Sequence, residues 1–153
     1  MNIKHPYLLF GGAGLLSAAW VVFGRGLFGL LGSFTGLYIL LLGLPIITLH
    51  LLIARNISRT TRSGHPTQPR TLIVMSGAWL CFTLLGFLIP DRIDGTLHAV
   101  ATGDTPGQIG LAIGFSNPMG IIGIGLCVAT IICAHFDARG PQPSEDELYE
   151  ASQ

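Results

Sequence analysis

Charge is what this sequence has least of. Only 10% of its 153 residues are Asp, Glu, Lys or Arg, against about 25% in an ordinary soluble domain. The formal net charge is zero. No basic field is therefore available for a nucleic-acid partner, and none is expected. Lys4 is the only lysine among eight basic residues. Such a preference for arginine is the mark of a GC-rich genome, and a bacterial source is expected. Cysteine is scarce too. Cys81, Cys127 and Cys133 lie inside apolar stretches and form no C-x-x-C pair, so neither a zinc site nor a dithiol redox motif is indicated. They read as small hydrophobes.

Catalytic signatures are also missing. There is no P-loop, no nucleophile elbow, and no G-x-G-x-x-G following a strand. Ser116 sits in Gly-Phe-Ser-Asn-Pro, which lacks the G-x-S-x-G frame. Asp91, Asp94, His98 and Asp104 cluster in one polar stretch, with a spacing that fits no standard calcium loop. The expectation is a protein that is not an enzyme and holds no cofactor or metal.

What the chain does have is apolar length. Half of its residues are hydrophobic and its mean hydropathy is +0.62. The fold class expected is an all-α integral membrane protein with four transmembrane helices in a bundle. Spans are placed at about 6–23, 27–54, 71–90 and 118–136. The first gives about 27 Å of helix at 1.5 Å per residue, just enough to cross. Lys4 before it and Ser17-Ala18-Ala19 inside it raise the alternative of a signal peptide, but the apolar run continues to Phe23. Gly24-Arg25-Gly26 reads as a minimal turn between two antiparallel helices. The second span is longer than a bilayer needs and carries Pro45, so tilt or a kink is expected. Residues 55–70 read as a polar loop.

Asn117-Pro118 looks like a helix start, with Asn at the N-cap and Pro at the first helical position. Residues 105–116 then form a short interfacial or re-entrant helix before the fourth span. One long helix kinked at Pro118 is the alternative. Residues 1–136 make the transmembrane domain. Residues 137–153 read as a flexible acidic tail, because they hold too little apolar surface to fold alone.

Orientation follows from arginine. Arg55, Arg59, Arg62 and Arg70 share one loop without an acid. The loops on the other side carry Arg25 and Arg92 together with Asp91, Asp94 and Asp104. By the positive-inside rule both termini are cytoplasmic and the protein sits in the cell (plasma) membrane. The Asn56-Ile57-Ser58 sequon then faces the cytoplasm, where it is inert. The four loop arginines are candidates for contact with anionic lipid or with the acidic tail through Glu145, Asp146, Glu147 and Glu150.

Glycine is plentiful, with 21 residues. Gly29, Gly32, Gly36 and Gly43 repeat at helical spacing and include a G-x-x-x-G. They are expected to form one packing stripe on the second span. Gly110, Gly114, Gly120 and Gly123 repeat the theme near the fourth. No acid or base lies inside a predicted span, which counts against a transporter built on a buried carboxylate. His50 and His135 fall near the same membrane side and are weighed as axial haem ligands. The alternative is interfacial residues with polar tips.

The functional expectation is a non-catalytic accessory subunit of a larger membrane complex, such as a respiratory-chain assembly. Its partners are other membrane subunits or further copies of itself, together with membrane lipids. A small oligomeric transporter or channel is the alternative.

Overall fold

The computed structural model describes residues 5–140. Four helices dominate it: α1 (Leu8–Phe28), α2 (Thr35–Arg62), α3 (Pro69–Leu88) and α4 (Pro106–Asp137). Each is long and apolar enough to cross a membrane, as expected for a multi-pass membrane protein. A small hairpin follows α3, with β1 (Asp91–Ile93) antiparallel to β2 (Thr96–His98). Its register pairs Asp91 with His98, Arg92 with Leu97 and Ile93 with Thr96. Asp94 and Gly95 make the turn at φ 49° and 87°, the two positive values that a tight hairpin turn requires.

α3 and α4 share the most extensive helix contact, and α2 packs on α4 alongside it. The core holds Phe10, Ile46, Ile53, Met75, Phe82 and Cys127, all essentially inaccessible. Leu8, Leu27, Ile73 and Ile121 are each at least 70% exposed. In a water-soluble protein that would be costly, but lipid solvates such side chains.

Four expectations are corrected. The first concerns the glycine-rich segment. α1 does not turn at Gly24; it tightens into a 3₁₀ turn over Gly24–Phe28 and ends at Gly29, which adopts φ 71°. Residues 29–34 are then non-helical, and α2 begins only at Thr35. Gly29 is a helix cap and Gly32 lies in a loop, so Gly29, Gly32, Gly36 and Gly43 form no common helix face. Local apolarity loses here to hydrogen bonds from distant residues, described below.

The second correction concerns residues 55–70. The helix continues through the first half of this stretch, to Arg62. Ile57, Ser58 and Thr60 are buried on one side of it. The Ser58, Thr60 and Thr61 hydroxyls donate to the carbonyls of Ala54, Asn56 and Ile57, satisfying themselves within the helix. Arg59 and Arg62 lie in the last turn, where positive charge suits the helix dipole.

Third, α4 is one helix of 32 residues with Pro118 inside it. There is no separate helix at 105–116, and Asn117 is not a cap. A proline ring crowds the carbonyl four residues back. Here that residue is Gly114, which adds no side chain of its own to the crowding. Membrane helices accept such interruptions. At about 48 Å, α4 exceeds the hydrocarbon thickness.

Fourth, Asp137 does not open a tail. It is the last residue of α4 and is 4% exposed. The remaining tail from 141 onward, with Glu145, Asp146, Glu147 and Glu150, lies outside the described residues.

Close packing identifies which glycines matter. A Cβ at Gly14 would overlap the Cβ and Cγ of His50, atoms held too near the α2 backbone to step aside. A Cβ at Gly12 would meet nothing within 4 Å. Gly14→Ala is therefore expected to destabilise the protein by about 1–3 kcal/mol. Gly12→Ala is expected to be neutral or stabilising by up to about 1 kcal/mol. Thermal unfolding of both variants in mild detergent checks the contrast.

Candidate functional site

The most elaborate polar arrangement is built around Asp91, the first residue of β1. Its side chain is fully buried, as is that of Arg25 at the end of α1. Arg25 Nε lies 2.9 Å from Asp91 Oδ2. This is a close ion pair rather than an aligned hydrogen bond, and Arg25 Nη1 has no hydrogen-bond partner.

The other contacts of the carboxylate are well formed. Oδ1 accepts the N–H groups of Phe34 and Arg92, both at 2.8 Å. Oδ2 accepts the Gly32 N–H at 3.0 Å and the Thr35 hydroxyl at 3.0 Å. The Thr35 oxygen in turn faces Arg25 Nη2 at 3.5 Å. The guanidinium stacks 4.7 Å from the centre of the Tyr38 ring, and the Tyr38 hydroxyl donates to the Pro90 carbonyl at 2.7 Å. Ser33 N–H donates to the Arg92 carbonyl.

This set of contacts explains why residues 29–34 leave the helix. The Gly32 and Phe34 N–H groups are taken by a carboxylate that follows α3, and the Ser33 N–H by the Arg92 carbonyl beside it. A Cβ at Gly32 would collide with the Arg92 carbonyl, so only glycine allows that approach. Burial pushes the Asp91 carboxyl up. The N–H groups of Phe34, Gly32 and Arg92, with the Arg25 charge, outweigh it and hold the group below its ordinary value.

The opposite end has a simpler counterpart. Asp137 accepts from the Gln68 N–H at 3.0 Å, Arg70 Nη2 at 3.1 Å and the Thr71 hydroxyl at 2.7 Å. A carboxylate from the end of α4 thus caps the start of α3, where negative charge suits the helix dipole.

The four candidate arginines separate accordingly. Arg70 pairs with Asp137, whereas Arg55, Arg59 and Arg62 are exposed on α2. No ion pair engages these three among the described residues.

His50 is buried in the core. Its Nδ1 lies 2.8 Å from the Ile46 carbonyl, and its Nε2 accepts the Trp79 indole N–H at 3.1 Å. Both ring nitrogens are therefore occupied within the protein, while His135 is exposed. The two do not form a facing pair of haem ligands. Asp91, Asp94, His98 and Asp104 do not converge either. Asp91 turns inward, and His98 is shared between Thr96 at 2.7 Å and Asp104 at 4.0 Å. Among the described residues no group of three His, Cys, Asp or Glu could hold a metal ion.

The glycines of α4 face two ways. A Cβ at Gly123 would press to 2.8 Å from Phe82, and one at Gly120 would stand 3.7 Å from Leu85, so both glycines lie on the α3 contact. Gly107, Gly110 and Gly114 are exposed with nothing within 4 Å of a Cβ. Asn117 continues this outward row. It borders a cleft of about 560 Å³ between α2 and α4 that is walled by Tyr38, Leu41, Ile113 and Ile121. Its amide has no hydrogen-bond partner among the described residues.

Sequence reasoning missed the Arg25–Asp91 pair by placing Arg25 in a turn and Asp91 in a loop. The usable signal was that both fall on the same predicted membrane side, each beside an apolar run.

Removing either partner tests the arrangement. Asp91→Ala strands a buried cation and the donors around it, and is expected to destabilise by about 3–5 kcal/mol. Arg25→Met leaves the carboxylate its N–H and hydroxyl donors and is expected to be milder. Urea or thermal unfolding in detergent gives the order. The depressed Asp91 group contributes stability above its unfolded value of about 3.9, lost as pH falls through its lower folded value. Wild-type melting temperature is therefore expected to drop below about pH 4, and Asp91→Asn is expected to lack that component. Compared with models of protein families, with curated proteins and with solved structures, the chain matches none.

Proposed function

We propose that this protein is a non-catalytic accessory subunit of a larger membrane complex. It lies in a bacterial plasma membrane as a four-helix bundle, with both termini and the arginine-rich end cytoplasmic. A respiratory-chain assembly is one setting that fits.

One observation carries the reading: the free amide of Asn117 on the outward face of α4. Were that amide left facing hydrocarbon without a partner, it would cost several kcal/mol at the cyclohexane limit and about 1–3 kcal/mol on protein scales. A neighbouring transmembrane helix supplies the missing partner. Gly107, Gly110 and Gly114 lie on the same row, and small residues let a second backbone approach closely. The partner would run along α4 and seat against the cleft beside Asn117.

A transporter has less support. The buried charges are engaged in compact contacts at two separate ends. Between them, His50 has both ring nitrogens bonded inside the core.

Native extraction in mild detergent, sized on a native gel with partners identified by mass spectrometry, tests the proposal. The wild type is expected in a complex of fixed composition. Asn117→Leu is expected to lose partner at least fivefold, from about 1 kcal/mol of interhelical hydrogen bonding, while keeping its own melting temperature. A partner-free wild-type monomer would overturn the reading, as would unchanged partner retention by the variant.

A further inference from the structure

The exposed side of α2 changes character along its length. Leu44, Thr48, Leu51 and Leu52 give way one turn later to Arg55, Arg59 and Arg62, all on the outward face. The inward face of the same turns is fixed. Ile53, Ala54 and Ile57 are fully buried, and the Thr60 hydroxyl reaches the Ala134 carbonyl of α4 at 3.2 Å. The three arginines cannot rotate inward without dismantling that contact. They stand at spacings of four and three, so they form a ladder on one face. The ladder rises about 10 Å along the axis. That is comparable to the headgroup layer on one side of a bilayer, roughly 5–8 Å deep.

Nothing on the described chain neutralises this ladder. Asp137 is the one carboxylate described at this end, and it is buried and bonded to Gln68, Arg70 and Thr71. Asp91, Asp94 and Asp104 belong to the hairpin region beyond the far end of α3. Arg139 adds a further exposed cation just past α4. Guanidinium groups bind phosphate oxygens through two parallel N–H bonds, a geometry that an ammonium lacks.

We infer that Arg55, Arg59 and Arg62 form a binding site for the phosphate headgroups of anionic phospholipids, with acyl chains lying against Leu51 and Leu52. The site is independent of the face carried by Asn117. It holds whether or not the protein is a subunit of a complex.

The full chain is exchanged into nanodiscs of phosphatidylglycerol mixed with phosphatidylcholine, and retained lipid is counted by native mass spectrometry. Wild type is expected to enrich phosphatidylglycerol. Substituting Arg55→Gln, Arg59→Gln and Arg62→Gln together is expected to reduce the enrichment by roughly fivefold per arginine, with the fold retained and only a small drop in melting temperature from the lost helix-dipole interaction. The matching lysine substitutions are expected to keep part of it, because charge survives and the two-pronged geometry does not. Equal retention of both lipids by wild type would overturn the inference, as would undiminished enrichment in the glutamine variant. A full-length chain carrying Glu145→Gln, Asp146→Asn, Glu147→Gln and Glu150→Gln separates the remaining source. Enrichment that appears only in that chain means the protein's own carboxylates occupy the arginines, and it too overturns the inference.

Discussion

A backbone that leaves the helix near a membrane must find partners for its N–H groups, because hydrocarbon offers none. Asp91 meets that constraint for Gly32 and Phe34, within the non-helical residues 29–34. One carboxylate takes N–H groups from Gly32, Phe34 and Arg92, the Thr35 hydroxyl and the Arg25 charge. The C-terminal end of α1, the start of α2 and the hairpin after α3 are all referenced to this side chain. Without it, the glycine-rich segment has no reason to stop being a helix, and the buried guanidinium has no counter-ion. The tight turn at Asp94-Gly95 is part of the same device, since it returns the chain promptly after Asp91 and Arg92 have been placed against the loop.

The same solution recurs at the other end with fewer parts. Asp137 joins the end of α4 to the start of α3 through a backbone N–H, a hydroxyl and an arginine. Each end of the helix assembly is therefore closed by a buried aspartate from a distant part of the chain. What lies between is apolar packing with a single buried histidine, and His50 fits only because Gly14 leaves room for its ring. Among the described residues, the Asn117 amide and three arginines in a row stand outward without a protein partner.

Much of the helical framework is legible in the sequence because composition alone selects it. Pro69–Leu88 is bounded by Pro69 in its first turn and Pro90 just beyond its end, and the expected span of 71–90 differs from it by two residues at each end. The second span is misread for a specific reason. The run from Leu27 to Gly36 is apolar enough to be helix, and the residue that unwinds it lies beyond α3. A local pattern cannot register that competition. Residues 55–62 err the other way, since their polarity suggests a loop while Ile57, Ser58 and Thr60 bury one face of a helix. At Pro118 the cue for a helix start is sound in water, but a membrane helix runs through it. The Asp94-Gly95 turn is a hairpin signal in the sequence, masked by the polarity of the stretch that holds it. As for the sites, the sequence isolates the arginines. It does not reveal that Arg70 already has a partner, or that Asn117 faces outward without one.

The pairing of early segments with late aspartates also sets an order of events. The chain emerges from the N-terminus, so Arg25 and the donors of residues 29–34 are made and inserted before Asp91 exists. Gln68 and Thr71 likewise precede Asp137, the last residue of α4. Until each aspartate arrives, the groups it will satisfy must keep water or other polar surroundings. Completion of the third helix therefore closes the first two, and completion of the fourth closes the third. The fold is latched from behind, by residues that reach the membrane only after the segments they secure.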